Sequence, residues 1–125
     1  TFAELFEHKA EITKKEGTPF ESIVPPSGES IEMVWNRVSK VVHEILDTKE
    51  NTLVVTHGGT GSLLMAQLLQ GSMATARAFR FANAGVTELQ LRPDGAFLIV
   101  RFNDTSHLAE SPLTGGLDGS HRREA

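Results

Sequence analysis

The sequence predicts an α/β domain, because strand-like apolar runs alternate along the chain with helical patterns. A short apolar run, 53–55, stops just before His57, and a glycine-rich turn then leads into the apolar stretch 61–70. Before it, apolar residues recur at helical spacing over 31–45, and after it, residues 86–102 alternate as in a β-hairpin. These patterns predict a helix, a buried strand with its following helix, and a hairpin, in that order.

The chain opens with residues 1–16, which are predicted to form an amphipathic helix. Thr1 and Glu4 have the spacing of a capping box, and apolar residues recur among charged ones. Glycine and proline residues end this helix, and the segment 17–29 is predicted to be a loop.

The next helix has the clearest pattern in the chain. Ser30 is the expected N-cap, and Glu32 lies in the first turn, where a carboxylate suits the helix dipole. The predicted apolar face steps by three or four residues and consists of Ile31, Val34, Val38, Val41 and Ile45. This face is therefore expected to pack against the core.

The run 52–56 is predicted to be a buried strand, and the helix over 61–70 is apolar nearly all round and should be buried as well. At 86–91, apolar and polar side chains alternate as in a strand. The turn sequence Pro93-Asp94-Gly95 separates this strand from a second β-rich run at 97–102. The two runs are the predicted hairpin.

The composition excludes several classes of protein. A net charge of −4 argues against nucleic acid or an acidic membrane surface as the main partner. The lack of cysteine excludes disulfides and thiolate metal sites, and it fits the cytoplasm, which is the expected location. No apolar run has the ~20 residues of a membrane span, and no signal peptide is visible.

The acid-free stretch around His57 predicts an anion-binding edge. No Asp or Glu lies between Asn51 and Thr87, whereas Arg77 and Arg80 do. A carboxylate would repel an anionic ligand, and the N–H groups at a helix N-terminus attract one. A histidine at a strand's carboxyl end can donate a hydrogen bond to such a ligand or pass a proton to a leaving group. The alternative interpretation is that buried elements carry few charges in any case.

Other chemistries fit less well. A P-loop needs Gly-Lys-Ser/Thr, and no lysine follows Lys49, while a dinucleotide fingerprint would need a glycine at Leu64. The histidines lack ligand spacing, so no metal and no cofactor is predicted. A serine triad of Ser62, His57 and Asp104 is an alternative on paper, although Gly-x-Ser-x-Gly is absent.

Several segments occur in the order that one known family shows. They are Gly28-Glu29-Ser30, Arg37-Val38, Leu53-Val54-Val55-Thr56-His57-Gly58-Gly59, Asn83-Ala84-Gly85-Val86-Thr87 and Asn103-Asp104-Thr105-Ser106-His107-Leu108. Over residues 1–108, the chain resembles the carboxyl-terminal half of the histidine phosphatase superfamily, the phosphoglycerate mutase-like fold. The Val-Thr-His-Gly segment, in company with the earlier Gly-Glu-Ser, carries the resemblance.

The resemblance implies phosphoryl transfer, by a phosphomonoester phosphatase or mutase built as a three-layer α/β/α sandwich. His57 matches the family's second catalytic histidine, which contacts the phosphoryl group, and the N–H of Gly58 faces the same phosphate. Asn83 is a candidate for the rim of the substrate pocket, whereas Glu29 and Arg37 should anchor the corner between loop and helix. The implied substrate is a small phosphorylated metabolite.

The chain departs from the family pattern at the nucleophile. It contains no Arg-His-Gly, the motif whose histidine becomes phosphorylated, and the family's first strand is missing with it. Since the chain starts at Thr1 rather than at methionine, we expect a piece of a longer polypeptide. Residues 1–108 would be the carboxyl-terminal part of the domain, and 109–125, rich in glycine, serine and charge, a disordered tail.

Two expectations follow for this chain by itself. It should not turn over a phosphoester, because the nucleophile is absent. The 52–56 strand should expose an unpaired edge, which favours self-association or docking of a complementing chain. The alternative to a phosphatase fragment is a non-catalytic module that binds phosphate or a partner protein.

Overall fold

The computed structural model describes Glu7, Glu11 and the continuous stretch 19–108. The elements are a 3-10 turn at Phe20–Ser22, helix α1 at Ile31–Asp47, helix α2 at Gly58–Leu68, a 3-10 helix at Met73–Ala78, strand β1 at Val86–Leu91 and strand β2 at Phe97–Asp104. Glu7 and Glu11 are helical, and the rest of the helix predicted over 1–16 lies outside the described residues, as does the tail predicted over 109–125. Helices and strands together agree with the predicted α/β class.

Helix α1 begins where the sequence predicts. The Ser30 side chain is buried, and its Oγ accepts a hydrogen bond from the Met33 backbone N–H at 3.1 Å. At the other end, the Thr48 N–H donates to the Glu44 carbonyl oxygen. The capping oxygen satisfies one of the N–H groups that the first turn leaves unpaired, so the prediction for Ser30 is confirmed.

The apolar face of α1 differs from the prediction at one position. The expectation for Val41 is wrong, because this side chain is 38% exposed while its neighbour Val42 is 8% exposed. The row that faces the core runs from Val34 through Val38 to Val42. At 3.6 residues per turn, Val41 lies only about 20° around the helix from Val34, so helix geometry alone does not turn it away from the core. The packing against Leu64 and Leu68 of α2 selects Val42 instead.

Helix α2 lies at the centre of the packing. One cluster of buried side chains is Val38, Val42, Leu64 and Leu68. A second cluster is Leu63, Ala66 and Ala76. Because α2 contributes to both clusters, it is buried on nearly all sides, as predicted, although it begins at Gly58 rather than at residue 61. Among the described residues, no helix combines the length and the apolar content that crossing a membrane requires.

A partly buried amide fixes α2 against α1. The Gln67 side chain donates from Nε2 to the Trp35 carbonyl oxygen at 2.8 Å, and its Oε1 accepts from the Ser39 hydroxyl at 3.0 Å. Both polar ends of the amide therefore have partners on α1. Satisfied polar partners favour one relative position of the two helices, and this contact lies at the carboxyl-terminal end of α2.

Strands β1 and β2 form a two-stranded antiparallel sheet, which confirms the predicted hairpin. Across the turn, the Arg92 N–H donates to the Ala96 carbonyl oxygen at 2.8 Å, and Gly95 has a φ of 84°. That left-handed conformation favours glycine. Leu89 and Phe97 pack on the cluster between α1 and α2, so one face of the hairpin covers the helices.

The strand predicted over 52–56 is wrong, since this segment has no regular secondary structure. A strand needs a hydrogen-bonded neighbour, and in the part of the chain that the structure describes the sheet consists of the hairpin alone. Leu53 and Val55 are each 89% exposed, and Val54 is 38% exposed. The segment that joins α1 to α2 is therefore uncovered rather than buried.

Candidate functional site

His57 directly precedes helix α2 and occupies its N-cap position. Its backbone is extended, with φ −104° and ψ 162°, and its carbonyl oxygen accepts a hydrogen bond from the Gly61 N–H at 2.7 Å. The imidazole makes no capping hydrogen bond, and the residue is exposed. The ring is therefore accessible to a ligand at the amino-terminal end of α2.

The first turn of α2 adds hydrogen-bond donors without adding negative charge. Gly58, Gly59 and Thr60 carry the first N–H groups of the helix, which have no carbonyl acceptor within it. The same turn holds no acidic residue. The aligned peptide dipoles and these N–H groups together favour an anion at this end.

Gly61 lets two other segments approach the first turn of α2 closely. A Cβ at this position would lie 3.2 Å from Thr56 Cγ2 and 3.7 Å from Phe81 Cε2. The first of these separations is tighter than ordinary van der Waals contact, so a side chain here would displace Thr56. The absence of a side chain at Gly61 therefore allows Thr56, the residue before His57, and Phe81 to pack closely against the helix.

The Ser62 side chain connects the first turn of α2 to the segment after the Met73–Ala78 helix. It is fully buried, and its Oγ lies 2.8 Å from the Gly58 carbonyl oxygen and 3.1 Å from the Phe79 carbonyl oxygen. Both neighbours are acceptors, so the hydroxyl serves as a donor that ties α2 to residue 79. This contact is a second reason for the fixed position of the helix start.

The geometry does not support the serine triad that the sequence leaves open. The Ser62 hydroxyl is buried and bound to carbonyl oxygens. Asp104 has other partners, since the Ser106 N–H donates to its carboxylate at 2.8 Å and Arg101 lies 3.4 Å from its second oxygen. The pKa of Asp104 lies below its usual value, chiefly because the Ser106 backbone N–H donates to the ionised form.

Asn103 holds the turn that carries Asn83. Its Oδ1 accepts from the Ala82 N–H at 2.8 Å, and its Nδ2 donates to the Arg80 carbonyl oxygen at 3.3 Å. Asn103 itself has a φ of 49°, a left-handed conformation that asparagine tolerates better than most residues. A Cβ on Gly85 would collide with the Asn103 side chain, so glycine is required there.

The positioning role of Asn103 is absent from the sequence-based expectations. The sequence contains a local signal for it, because an asparagine followed by Asp104-Thr105-Ser106 is typical of a turn at a strand end. Its partners, however, lie about twenty residues away in the chain. Asn83 itself is exposed in the turn that Asn103 holds.

Three phenylalanines join this turn to the hairpin. The Phe102 ring on β2 lies with its centroid 6.1 Å from that of Phe79 and 5.5 Å from that of Phe81. Tilted rings at these separations have a favourable aromatic contact geometry. Phe81 also lies beside Gly61, so the hairpin, the 79–85 segment and the start of α2 form one connected unit.

In the folded structure Arg77 has an acidic neighbour, although the sequence around His57 contains no acidic residue. The Arg77 guanidinium lies 3.0 Å from a Glu21 carboxylate oxygen, and both groups are partly exposed. Glu21 comes from the 3-10 turn before α1, far away in sequence. The charge of Arg77 is therefore compensated, and the expectation that it contributes to an anion-binding edge is not supported.

Glu29 and Arg37 form the corner that the resemblance implies. Arg37 Nε donates to one Glu29 carboxylate oxygen and Arg37 NH2 to the other, each at 3.0 Å. This pairing raises the pKa of Arg37, first through the hydrogen bond and then through the negative charge. Since the two donors of Arg37 engage both oxygens of Glu29, the pair ties the loop before Ser30 to the first turns of α1.

An open surface groove of about 380 Å³ lies between the 3-10 turn and the Met73–Ala78 helix. Its lining includes Glu21, Ser22, Glu32 and Ser72. The Ser22 hydroxyl donates to a Glu32 carboxylate oxygen at 3.0 Å. The lining of this groove holds two carboxylates, one of them paired with Arg77, and no basic side chain, so the groove does not suit a phosphate.

The other histidines are separate from His57. His43 is exposed on α1, and His107 is exposed in the turn after β2. His8 and His121 lie outside the described residues. Within the described residues, no three His, Cys, Asp or Glu side chains come together in a group that could hold a metal ion.

One family model matches the sequence. The model of the histidine phosphatase superfamily (branch 1) matches residues 1–105. Searches among curated proteins and solved structures returned no match. The family model spans most of the sequence and contains the whole 31–104 region of helices and strands described above. The chain therefore belongs to the histidine phosphatase superfamily.

Proposed function

We propose that this chain supplies the phosphoryl-contacting half of a phosphomonoester phosphatase or mutase site. In this proposal, His57 donates a hydrogen bond to a phosphoryl oxygen and the Gly58 N–H donates a second one. The observation that carries it is the exposed imidazole at the start of a buried helix whose first turn has no carboxylate. Membership of the histidine phosphatase superfamily supports phosphoryl transfer as the reaction class.

The chemistry of phosphoryl transfer suits such a site. Negative charge is spread over the oxygens of the transferred group, and catalysis consists mostly of positioning and charge stabilisation. Donors that are already held in place need no reorganisation when charge develops, which makes them effective. Ser62 and Gln67 fix α2 from two sides, so the Gly58 N–H and the His57 backbone have such a fixed position.

We assign Asn83 to the rim of the substrate pocket. The turn that carries it is held by Asn103 and packed, through Phe81, against Gly61 in the first turn of α2. An exposed amide on an anchored turn suits recognition of a polar group next to the phosphate. The substrate in this proposal is a small phosphorylated metabolite.

The proposed architecture is larger than the described hairpin and helices. We propose that residues 1–108 are the carboxyl-terminal part of a three-layer α/β/α sandwich of the phosphoglycerate mutase-like type, and that 109–125 form a disordered tail. The match of the family model to residues 1–105 supports this division. The composition favours the cytoplasm as its location.

The nucleophile has to come from residues outside this sequence. The 125-residue sequence contains no Arg-His-Gly, so it offers no histidine in the family's context for phosphorylation. His57 stabilises charge in this proposal and does not attack phosphorus. A second, non-catalytic candidate function is a protein-interaction module, which the exposure of Leu53 and Val55 favours.

A phosphatase assay on the isolated chain tests the assignment of roles. We expect no hydrolysis of p-nitrophenyl phosphate above the buffer rate, and no difference between the chain and its His57→Ala variant. The physical reason is that charge stabilisation without a nucleophile leaves water as the attacking group. Hydrolysis that disappears in His57→Ala would contradict the proposal, because His57 or a neighbour would then perform the attack.

A further inference from the structure

Helices α1 and α2 run side by side in the same direction. Ile31, the first residue of α1, packs on the cluster that contains Leu63 in the second turn of α2. Further along both helices, Val42 of α1 belongs to one cluster with Leu68, the last residue of α2. Because the contacts advance along both helices together, the amino-terminal ends of α1 and α2 lie at the same end of the pair, which is the end next to His57.

The two helix starts differ in charge. The first turn of α2 has no acidic residue, whereas α1 has Glu29 just before its cap and Glu32 in its first turn. A carboxylate at a helix N-terminus offsets the positive end of the helix dipole. One of the two neighbouring helix starts therefore favours an anion, and the other does not.

Glu32 is the carboxylate at this end whose charge no cation offsets. Its side chain accepts a hydrogen bond from the Ser22 hydroxyl at 3.0 Å, and that donor is neutral. Glu29, by contrast, has Arg37 as its partner at 3.0 Å. Within the described residues, no basic side chain forms an ion pair with Glu32. The start of α1 therefore adds negative charge beside the start of α2.

The basic side chains of residues 19–108 are engaged or lie elsewhere. Ion pairs with carboxylates hold the arginines Arg37, Arg77, Arg92 and Arg101. Arg80 has an interaction partner as well. The lysines of this stretch, Lys40 and Lys49, are exposed and lie beyond the first turns of both helices. This part of the chain thus offers no uncompensated cation next to the helix starts for a second negative group of a ligand.

We propose that the substrate of this site carries one phosphate group and an uncharged, hydroxyl-bearing remainder. The inference rests on the proposed function, because it takes the first turn of α2 as the phosphate-binding end. A carboxylate or a second phosphate on the substrate would meet the charge of Glu32 without a cation to receive it, and like charges repel. Hydroxyl groups suit the exposed Asn83 amide, which can both donate and accept hydrogen bonds.

Two ligands that differ in one group test this substrate class on the 125-residue chain. Glycerol 2-phosphate and 2-phosphoglycerate share a carbon skeleton, but the second has a carboxylate where the first has CH₂OH. Titrations of the ¹⁵N-labelled chain at equal ionic strength, followed at the amides of Gly58, Gly59 and Thr60, give both dissociation constants. We expect glycerol 2-phosphate to bind several-fold more tightly. Attraction to the start of α2 alone would favour 2-phosphoglycerate, because it has the higher negative charge.

A second pair of ligands tests the exclusion of a further phosphate. Under the same conditions, fructose 6-phosphate should bind more tightly than fructose 1,6-bisphosphate. The bisphosphate offers two groups that fit a single phosphate site, so without repulsion it would bind more tightly than the monophosphate. The same three amides report both ligands.

Glu32→Gln tests the source of the discrimination. Glutamine keeps an acceptor oxygen for the Ser22 hydroxyl and removes the charge, so the affinity for 2-phosphoglycerate should rise while that for glycerol 2-phosphate stays the same. The matched control is Glu44→Gln, exposed on the same helix and about 18 Å further along its axis. Screening at physiological ionic strength acts over about 8 Å, so this control should leave both affinities unchanged. Circular dichroism checks that both variants fold.

The outcomes separate the substrate class from the phosphate site. If 2-phosphoglycerate or the bisphosphate binds the first turn of α2 as tightly as its partner ligand, the substrate class is wrong while the phosphate site stands. A preference that persists in Glu32→Gln, or disappears in Glu44→Gln, would also overturn the inference, because the start of α1 would not set it. If no phosphate ester shifts these amides, or if the shifts are unchanged in His57→Ala, the phosphate site itself fails and the inference fails with it.

Discussion

Replacing His57 by alanine is expected to lower kcat/KM by roughly 10²–10³-fold, about 3–4 kcal/mol of transition-state stabilisation, in a phosphatase that combines this chain with an Arg-His-Gly half. The loss follows from removing one fixed donor at the oxygen where charge develops. The N–H groups of the first turn of α2 stay in place, because they belong to the backbone. Steady-state kinetics with a phosphomonoester measure the effect.

Two further variants make this prediction specific. His43→Ala removes an exposed histidine from α1 and should leave kcat/KM unchanged. His57→Gln keeps a hydrogen-bond donor and should recover part of the loss. If His57→Ala lowers kcat/KM by less than tenfold, or if His43→Ala has an equal effect, His57 does not contact the phosphoryl group.

Replacing Leu63 by alanine is expected to lower the free energy of unfolding by about 2–5 kcal/mol, the usual cost of emptying a packed leucine site. Leu63 is 1% exposed and packs with Ala66 of α2 and Ala76 of the following 3-10 helix. Larger side chains, among them Trp35, Met73 and Phe79, also pack on this cluster, and how far they collapse into the cavity sets where the loss falls within this range. Urea unfolding followed by circular dichroism measures the change.

The control is the same substitution at a helical leucine that faces solvent. Leu46 on α1 is 45% exposed, so Leu46→Ala should cost less than about 1 kcal/mol. Both positions are helical, and leucine and alanine have similar helix propensities, so the difference reports burial. Equal effects at Leu63 and Leu46 would contradict the packing described for α2.

Local patterns in the sequence predict much of this fold. The Ser30 cap, the length of α1 and the hairpin around Pro93-Asp94-Gly95 all depend on residues within one or two turns of each other. The burial of α2 is also predictable from the sequence, because a helix that is apolar on nearly all sides has no polar face for solvent. The position of His57 at the start of α2 follows from the glycines after it.

Features that depend on distant residues are not predictable in this way. The run 52–56 has strand composition, but a strand forms when a neighbour pairs with it, and the sequence pattern does not identify one. Arg77 finds Glu21, and Asn103 finds Ala82, across long stretches of chain. Only the packing of α1 against α2 decides that Val42 rather than Val41 faces inward.

The central claim is that His57 and the first turn of α2 bind a phosphate group. Titration of the ¹⁵N-labelled chain with inorganic phosphate, against sodium chloride at equal ionic strength, tests it most directly. We expect amide shifts concentrated at Gly58, Gly59 and Thr60, with shifts of the His57 ring signals, and weaker responses in His57→Ala. Shifts that are absent, or that lie at the Arg77 side of the molecule and persist in His57→Ala, would contradict the claim.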